Sequence, residues 1–408
     1  MEILIVVRLL VVLLLIALMV IFITRRFAVP YTLGLVLVGL LISLFGHLDA
    51  FHLSPELVLF VFLPPLIFEG SWSISLKLLR ENWAPILLLA VPGLLLELIL
   101  IALPLYFFVH VPWSVALLLA AILSPTDPVA VLGLFRQLKV NEHLSILIEG
   151  ESLFNDGVAG ALYQVFLAIV LLSLQGQQVT FGVAVMRGIG VFLLQAGGGV
   201  LVGALCGLAV SRCVRQVNDH LIEMTMTIVT AYGVYLLADA MHMSGILAVI
   251  VASLILSDYC LKQGMSEETR LAVDDFWSMI AFLANALLFL LVGAQLNPVS
   301  LLTTQEPISL LLAAGVVIGA VLVARYVMVL ILPLAFGGAL RKRLHTWRFI
   351  LLWSGLRGAL SLALVLALPT NIPDRTALIF STYMVVLFTL LVQGFSIRPV
   401  LRRIPGLQ

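Results

Sequence analysis

The chain reads as a series of long apolar runs separated by short polar, charged or Gly/Pro-rich breaks. A helix rises about 1.5 Å per residue, so a run needs about 20 apolar residues to cross a hydrocarbon layer about 30 Å thick. Thirteen runs qualify: 3–23, 29–46, 54–71, 84–109, 113–135, 144–172, 182–210, 220–240, 244–260, 273–296, 306–336, 346–369 and 376–397. The first is predicted to be a span rather than a cleavable leader. Its basic pair, Arg25 and Arg26, follows the apolar run instead of preceding it, and no small-residue cleavage site is present.

The breaks alternate in charge. Lys and Arg fall at 25–26, 77–80, 136–139, 212–215, 262–270, 341–348 and 398–403, whereas the intervening connections near 47–53, 110–112, 173–181, 241–243, 297–305 and 370–375 hold only Arg375. Basic loops stay on the cytoplasmic side, so the pattern predicts an outside N-terminus and a cytoplasmic C-terminus. It also predicts a six-span repeat over 1–172, a linking span over 182–210 and an inverted repeat over 220–397. The fifth span of each half carries an interruption: Ser124-Pro125-Thr126-Asp127-Pro128 in one, Gly355-Leu356-Arg357-Gly358 in the other. No soluble domain is predicted, and the longest loop expected runs from about 258 to 274.

Composition supports the membrane assignment. Of 408 residues, 62% are hydrophobic and 11% charged, against roughly 25% charged in an ordinary soluble domain. Apolar residues are mainly Leu, Val, Ile and Ala, and the alternating segments of an outer-membrane barrel are absent. The fold class is therefore an all-α polytopic membrane protein. A net charge of +1 gives no footprint for nucleic acid, and three cysteines (Cys206, Cys213, Cys260) show no metal spacing.

Against this background eight of the charges within spans carry the functional signal: Glu69, Glu97, Asp127, Glu151, Asp156, Asp239, Arg325 and Arg357. A central Asp, Lys or Arg costs about 2.5–3.5 kcal/mol on insertion scales. Asp127 lies between two prolines that should unwind its span, because Pro128 has no N–H and Pro125 disfavours helix at Ser124. Unwound backbone at membrane depth belongs where it lines a cavity or is buried in protein. Asp156 lies about 12 residues into the sixth span, roughly 18 Å deep. With Thr126, Ser152 and freed carbonyls, the two carboxylates can make an all-oxygen site suited to a hard cation.

Other polar residues admit structural readings. Arg325 is expected to pair with Glu151, and Arg357 to balance a half-helix end or Asp127. Glu97 has no obvious partner, so it is expected to be protonated or to face water. His242 reads as an interfacial residue at an outer turn. Gly199, Gly203 and Gly207 recur every four residues and form a close-packing face, usable within the protomer or in a dimer.

Five stretches carry a family resemblance: Phe68-Glu69-Gly70, the proline-flanked Asp127 segment, Glu149-Gly150-Glu151-Ser152-Leu153-Phe154-Asn155-Asp156-Gly157, His242-Met243-Ser244-Gly245-Ile246 and Gly355-Leu356-Arg357-Gly358-Ala359. In this order the chain resembles, over nearly its whole length, the sodium/proton antiporters of the NhaP type and their eukaryotic exchanger relatives. The resemblance implies a thirteen-helix antiporter fold, a homodimer, and two discontinuous helices crossing at the ion site. It implies that Asp156 binds the cation or a proton. Asp127, Thr126 and Ser152 are then further ligands, and Glu69 a water-linked acid. Asn155 is the neutral member of an Asn-Asp pair, Glu151 and Arg325 a buried salt bridge, and Arg357 a cation near the crossing. Many exchangers carry a cytoplasmic regulatory tail, whereas this sequence stops soon after Arg403.

The function expected is electroneutral exchange of sodium or lithium for protons across a prokaryotic inner (plasma) membrane, with no cofactor. Potassium/proton exchange is the alternative in the same class. A cation channel and an intramembrane protease using Ser244 and His242 are remote alternatives.

Overall fold

The structure is a computed structural model describing residues 2–27, 30–45, 55–128, 131–132, 135, 140–175, 181–217, 219–260, 265–295 and 307–403. The connections near 47–53 and 297–305 lie outside these, as do the basic stretch 136–139, Lys262 and most of the connection 173–181.

The first seven principal helices are α1 (Glu2–Phe27), α2 (Tyr31–Phe45), α3 (Leu63–Trp72), α4 (Leu94–Phe108), α5 (Trp113–Leu123), α6 (Glu142–Leu174) and α7 (Phe181–Val214). The remainder are α8 (His220–Ala240), α9 (Gly245–Tyr259), α10 (Glu267–Gln295), α11 (Pro307–Ile331), α12 (Gly338–Trp353), α13 (Ala359–Leu366), α14 (Arg375–Phe388) and α15 (Gly394–Arg403). Among the described residues, eight helices are long and apolar enough to cross a membrane, and four shorter apolar helices accompany them. The chain is an integral membrane protein. Local sequence explains several helix starts: Asn141 caps α6 through the His143 N–H at 2.9 Å, and Asp219 caps α8 through the Leu221 N–H at 2.9 Å.

Both predicted interruptions are present. α5 stops at Leu123, earlier than the apolar pattern alone suggests, and residues 125–128 are non-helical. The twelfth predicted span divides into α12 and α13, with 355–358 extended between them. α13 packs against α5, α6, α10 and α14, which places the second break directly over the first.

The π-turns at Val58–Phe62, Leu89–Gly93 and Thr389–Gln393 were not foreseen. Each squeezes an extra residue into a helical turn and redirects the side chains beyond it. The second leads into α4 just before Glu97, and the third begins at Thr389; both residues hydrogen-bond to Arg357 in the second break.

The glycine stripe is used within the protomer. A Cβ added at Gly199 or Gly203 would lie 2.5 Å from the Ser244 carbonyl oxygen or 2.3 Å from that of Ala248, so α7 packs backbone to backbone on α9. Asp239, counted among the span charges, is exposed in the last turn of α8 rather than buried in the protein core. The connection expected over about 258–274 is shorter than expected, because α10 begins at Glu267. Arg375, the exception among the connections expected to lie outside, has a structural role: Nε donates to the Leu368 carbonyl at 2.8 Å and Nη2 to that of Leu366 at 3.2 Å. It thereby caps the C-terminal end of α13, where helix carbonyls lack partners.

Candidate functional site

The site is built where the two breaks meet. The Asp127 N–H donates to the Leu356 carbonyl at 2.8 Å, and the Ala359 N–H donates to Asp127 Oδ2 at 3.4 Å. Backbone groups released by one break are thus used by the other. Charges are exchanged in the same way. The Asp127 carboxylate sits at the positive N-terminal end of α13. Arg357 Nη1 donates to the Ser124 carbonyl, and to the Pro125 carbonyl at 3.1 Å, at the negative end of α5. The Arg357 N–H donates to Thr389 Oγ1 at 3.2 Å, which fixes the second break against the π-turn after α14.

α6 supplies the opposing wall. Ser152 Oγ donates to the Thr126 carbonyl, and Asn155 grips the same residue twice. Asn155 Nδ2 donates to Thr126 Oγ1 at 2.9 Å, while Asn155 Oδ1 accepts from the Thr126 N–H at 3.4 Å. Ser152 and Asn155 therefore shape the unwound segment.

A cavity of about 320 Å³ opens at this junction, and Asp156, Asp127, Thr126, Ser152 and Glu69 all line it. Asp156, Asp127 and Glu69 are half-buried. Sequence reading did not single out four further polar lining residues: Tyr31, Glu149, Asn285 and Ser361. Glu149 had a signal, standing seven positions before Asp156 on α6 and so about two turns away along the same face. The polar groups of the lining are carboxylates, hydroxyls, amides and carbonyls, the chemistry of a hard-cation site.

Behind the cavity wall lies a second polar layer. Glu151 pairs with Arg325, with Nη2 to Oε2 at 3.2 Å, and Arg325 also donates to the Leu351 carbonyl through Nε at 3.0 Å and Nη2 at 2.8 Å. Glu97 contradicts its sequence-based expectation. It is 2% exposed and bridges both arginines, at 3.4 Å to Arg325 Nη1 and 2.9 Å to Arg357 Nη2. Two acids and two bases form a buried, charge-balanced chain that ties α4, α6, α11 and the second break together. Removing one member strands a buried charge, at a cost of about 3–5 kcal/mol. Glu97→Gln is expected to lower the thermal unfolding temperature in detergent as strongly as Glu151→Gln. An unfolding temperature equal to wild type would mean that Glu97 does not hold the arginines.

The protease alternative finds no support at Ser244, whose Oγ accepts the Leu247 N–H at 3.3 Å as the cap of α9. His242 is exposed in the preceding turn.

Residues 11–403 match the family described as "Sodium/hydrogen exchanger, transmembrane". The Na(+)/H(+) antiporter ApNhaP of Aphanothece halophytica is 38% identical over 378 residues, covering 92% of this chain and 70% of that protein. The Na(+)/H(+) antiporter NhaP of Pseudomonas aeruginosa is 38% identical over 359 residues, covering 86% of this chain and 81% of that protein. The solved sodium proton antiporter MjNhaP1 of Methanocaldococcus jannaschii at pH 8 shares the fold, with a TM-score of 0.78 at 19% identity over 100% of both chains.

Proposed function

The chain belongs to the sodium/hydrogen exchanger family, and from that premise we propose that it exchanges sodium or lithium for protons, one for one, at Asp156. The family is one of antiporters rather than enzymes and needs no resident cofactor, since the ions are cargo. One observation carries the proposal: Asp156 and Asp127 share a cavity while the two nearby buried arginines are committed to Glu97, Glu151 and backbone carbonyls. A carboxylate at membrane depth, half-buried in protein, favours a neutralising partner. Here a cation or a proton can be that partner, and the two compete.

Asp127 is the fixed anion of the crossing, serving the end of α13, and Asp156 is the carboxylate that changes partner. Thr126, Ser152 and Glu69 complete the cation's oxygen shell, directly or through water. Asn155 carries no proton of its own into the cycle, and its amide is spent on Thr126. The reading includes two inverted repeats, with alternating access by a mobile core that carries both breaks moving against a dimerisation domain. It places the N-terminus outside and the C-terminus in the cytoplasm, on the alternation of basic loops. It also includes a homodimer in the bilayer, for which α1 and α7 offer exposed apolar residues such as Phe22 and Met186.

The test is the purified protein in proteoliposomes with imposed sodium, lithium or potassium gradients and a lumenal pH dye. Sodium and lithium should each drive proton movement in the opposite direction. Proton movement driven by potassium alone would select the potassium/proton alternative.

A further inference from the structure

Hydroxyl groups within spans generally donate to a carbonyl one turn earlier, which removes the penalty of burying them. Ser71 does so to Ile67 at 2.7 Å, Ser124 to Ala120 at 2.6 Å and Thr382 to Leu378 at 2.9 Å. Ser361 differs. It is 1% exposed, and its Oγ has no hydrogen-bond partner among the described residues. The reason is local: the residue four positions earlier is Arg357, inside the second break, where the backbone does not present its carbonyl along a helix axis. The carbonyl three positions earlier, Gly358, accepts from the Leu362 N–H at 3.4 Å.

Ser361 also lines the ion cavity, in the first turn of the half-helix whose N-terminus meets Asp127. A buried hydroxyl left without a partner is costly and is expected to be satisfied in some state of the molecule. The group that arrives in this cavity is the transported cation, with its inner oxygen shell.

We propose that Ser361 is a specificity-determining residue that contributes an oxygen to the cation, or to a water the cation keeps, from the second broken span. The other ligands come from α3, α6 and the first break, so Ser361 closes the shell from the side of α13. Discrimination between monovalent cations depends on the number and spacing of oxygens around the ion. A ligand on α13 links that spacing to the position of the second break. The proposal rests on the antiporter reading.

The experiment compares wild type, Ser361→Ala and Ser361→Thr in proteoliposomes, measuring half-saturating sodium, lithium and potassium at fixed pH. Ser361→Ala should raise half-saturating sodium roughly fivefold, equivalent to about 1 kcal/mol for one hydroxyl, and lower the preference for sodium over potassium. Ser361→Thr, which keeps the hydroxyl, should restore both. The unfolding temperature of Ser361→Ala should equal wild type, because the hydroxyl holds no protein group. Unchanged sodium affinity and ion preference in Ser361→Ala would overturn the inference, as would a lowered unfolding temperature, which marks a structural hydroxyl. Absence of exchange in wild type would instead remove the antiporter reading itself.

Discussion

Asp156→Asn is expected to abolish sodium-driven proton flux while leaving the protein folded. The amide keeps the shape of the side chain and loses both the negative charge and the proton that the cycle needs. Cavity geometry should survive, because Ser152 and Asn155 hold Thr126 without help from Asp156. The check is dye-reported flux in proteoliposomes beside an unfolding curve in detergent. Robust exchange in the folded variant would take Asp156 out of the mechanism.

Gly358→Ala is expected to be nearly as damaging, for a geometric reason. A Cβ at Gly358 would fall 1.9 Å from Asp127 Oδ2 and 2.3 Å from Asp127 Cβ. The two breaks would have to separate, losing the hydrogen bonds from the Asp127 and Ala359 N–H groups. Overpacking of this kind costs about 1–3 kcal/mol in stability. The functional cost should be larger, with exchange lost, because the separation falls at the proposed ion site. Gly315→Ala and Gly319→Ala are the controls: nothing lies within 4 Å of a Cβ at either position, and both should retain wild-type flux. Normal exchange in Gly358→Ala would mean that the crossing can open without affecting transport.

The sequence made the two breaks legible because their causes are local. Pro125, Pro128, Gly355 and Gly358 act on the backbone next to them, and Asp127 and Arg357 stand out against apolar neighbours. The pairing of Glu151 with Arg325 was accessible from charge balance and family resemblance. Glu97 was not, because its partners Arg325 and Arg357 are 228 and 260 residues away in sequence. A π-turn ahead of α4 and the junction of the breaks bring them together, and apolar periodicity records neither. Ser361 was hidden for a related reason. A lone serine in an apolar run ordinarily bonds its own helix, and only the position of the break denies it that partner. Asp239 shows the opposite error, since a window of hydropathy cannot tell a buried acid from one at a helix end.

The central claim is that Asp156 holds one cation or one proton in turn, with Asp127 and Asn155 unchanged. One positive charge then crosses in each direction, so turnover is electroneutral. An uncompensated charge would couple to the potential by about 2.3 kcal/mol per 100 mV, a large effect on rate. The most direct measurement is sodium/proton exchange in proteoliposomes with the potential set by a potassium/valinomycin clamp, repeated over a range of pH. The account predicts a rate independent of the clamped potential and a half-saturating sodium concentration that rises as pH falls. A steep dependence on potential, or a sodium affinity indifferent to pH, would contradict it.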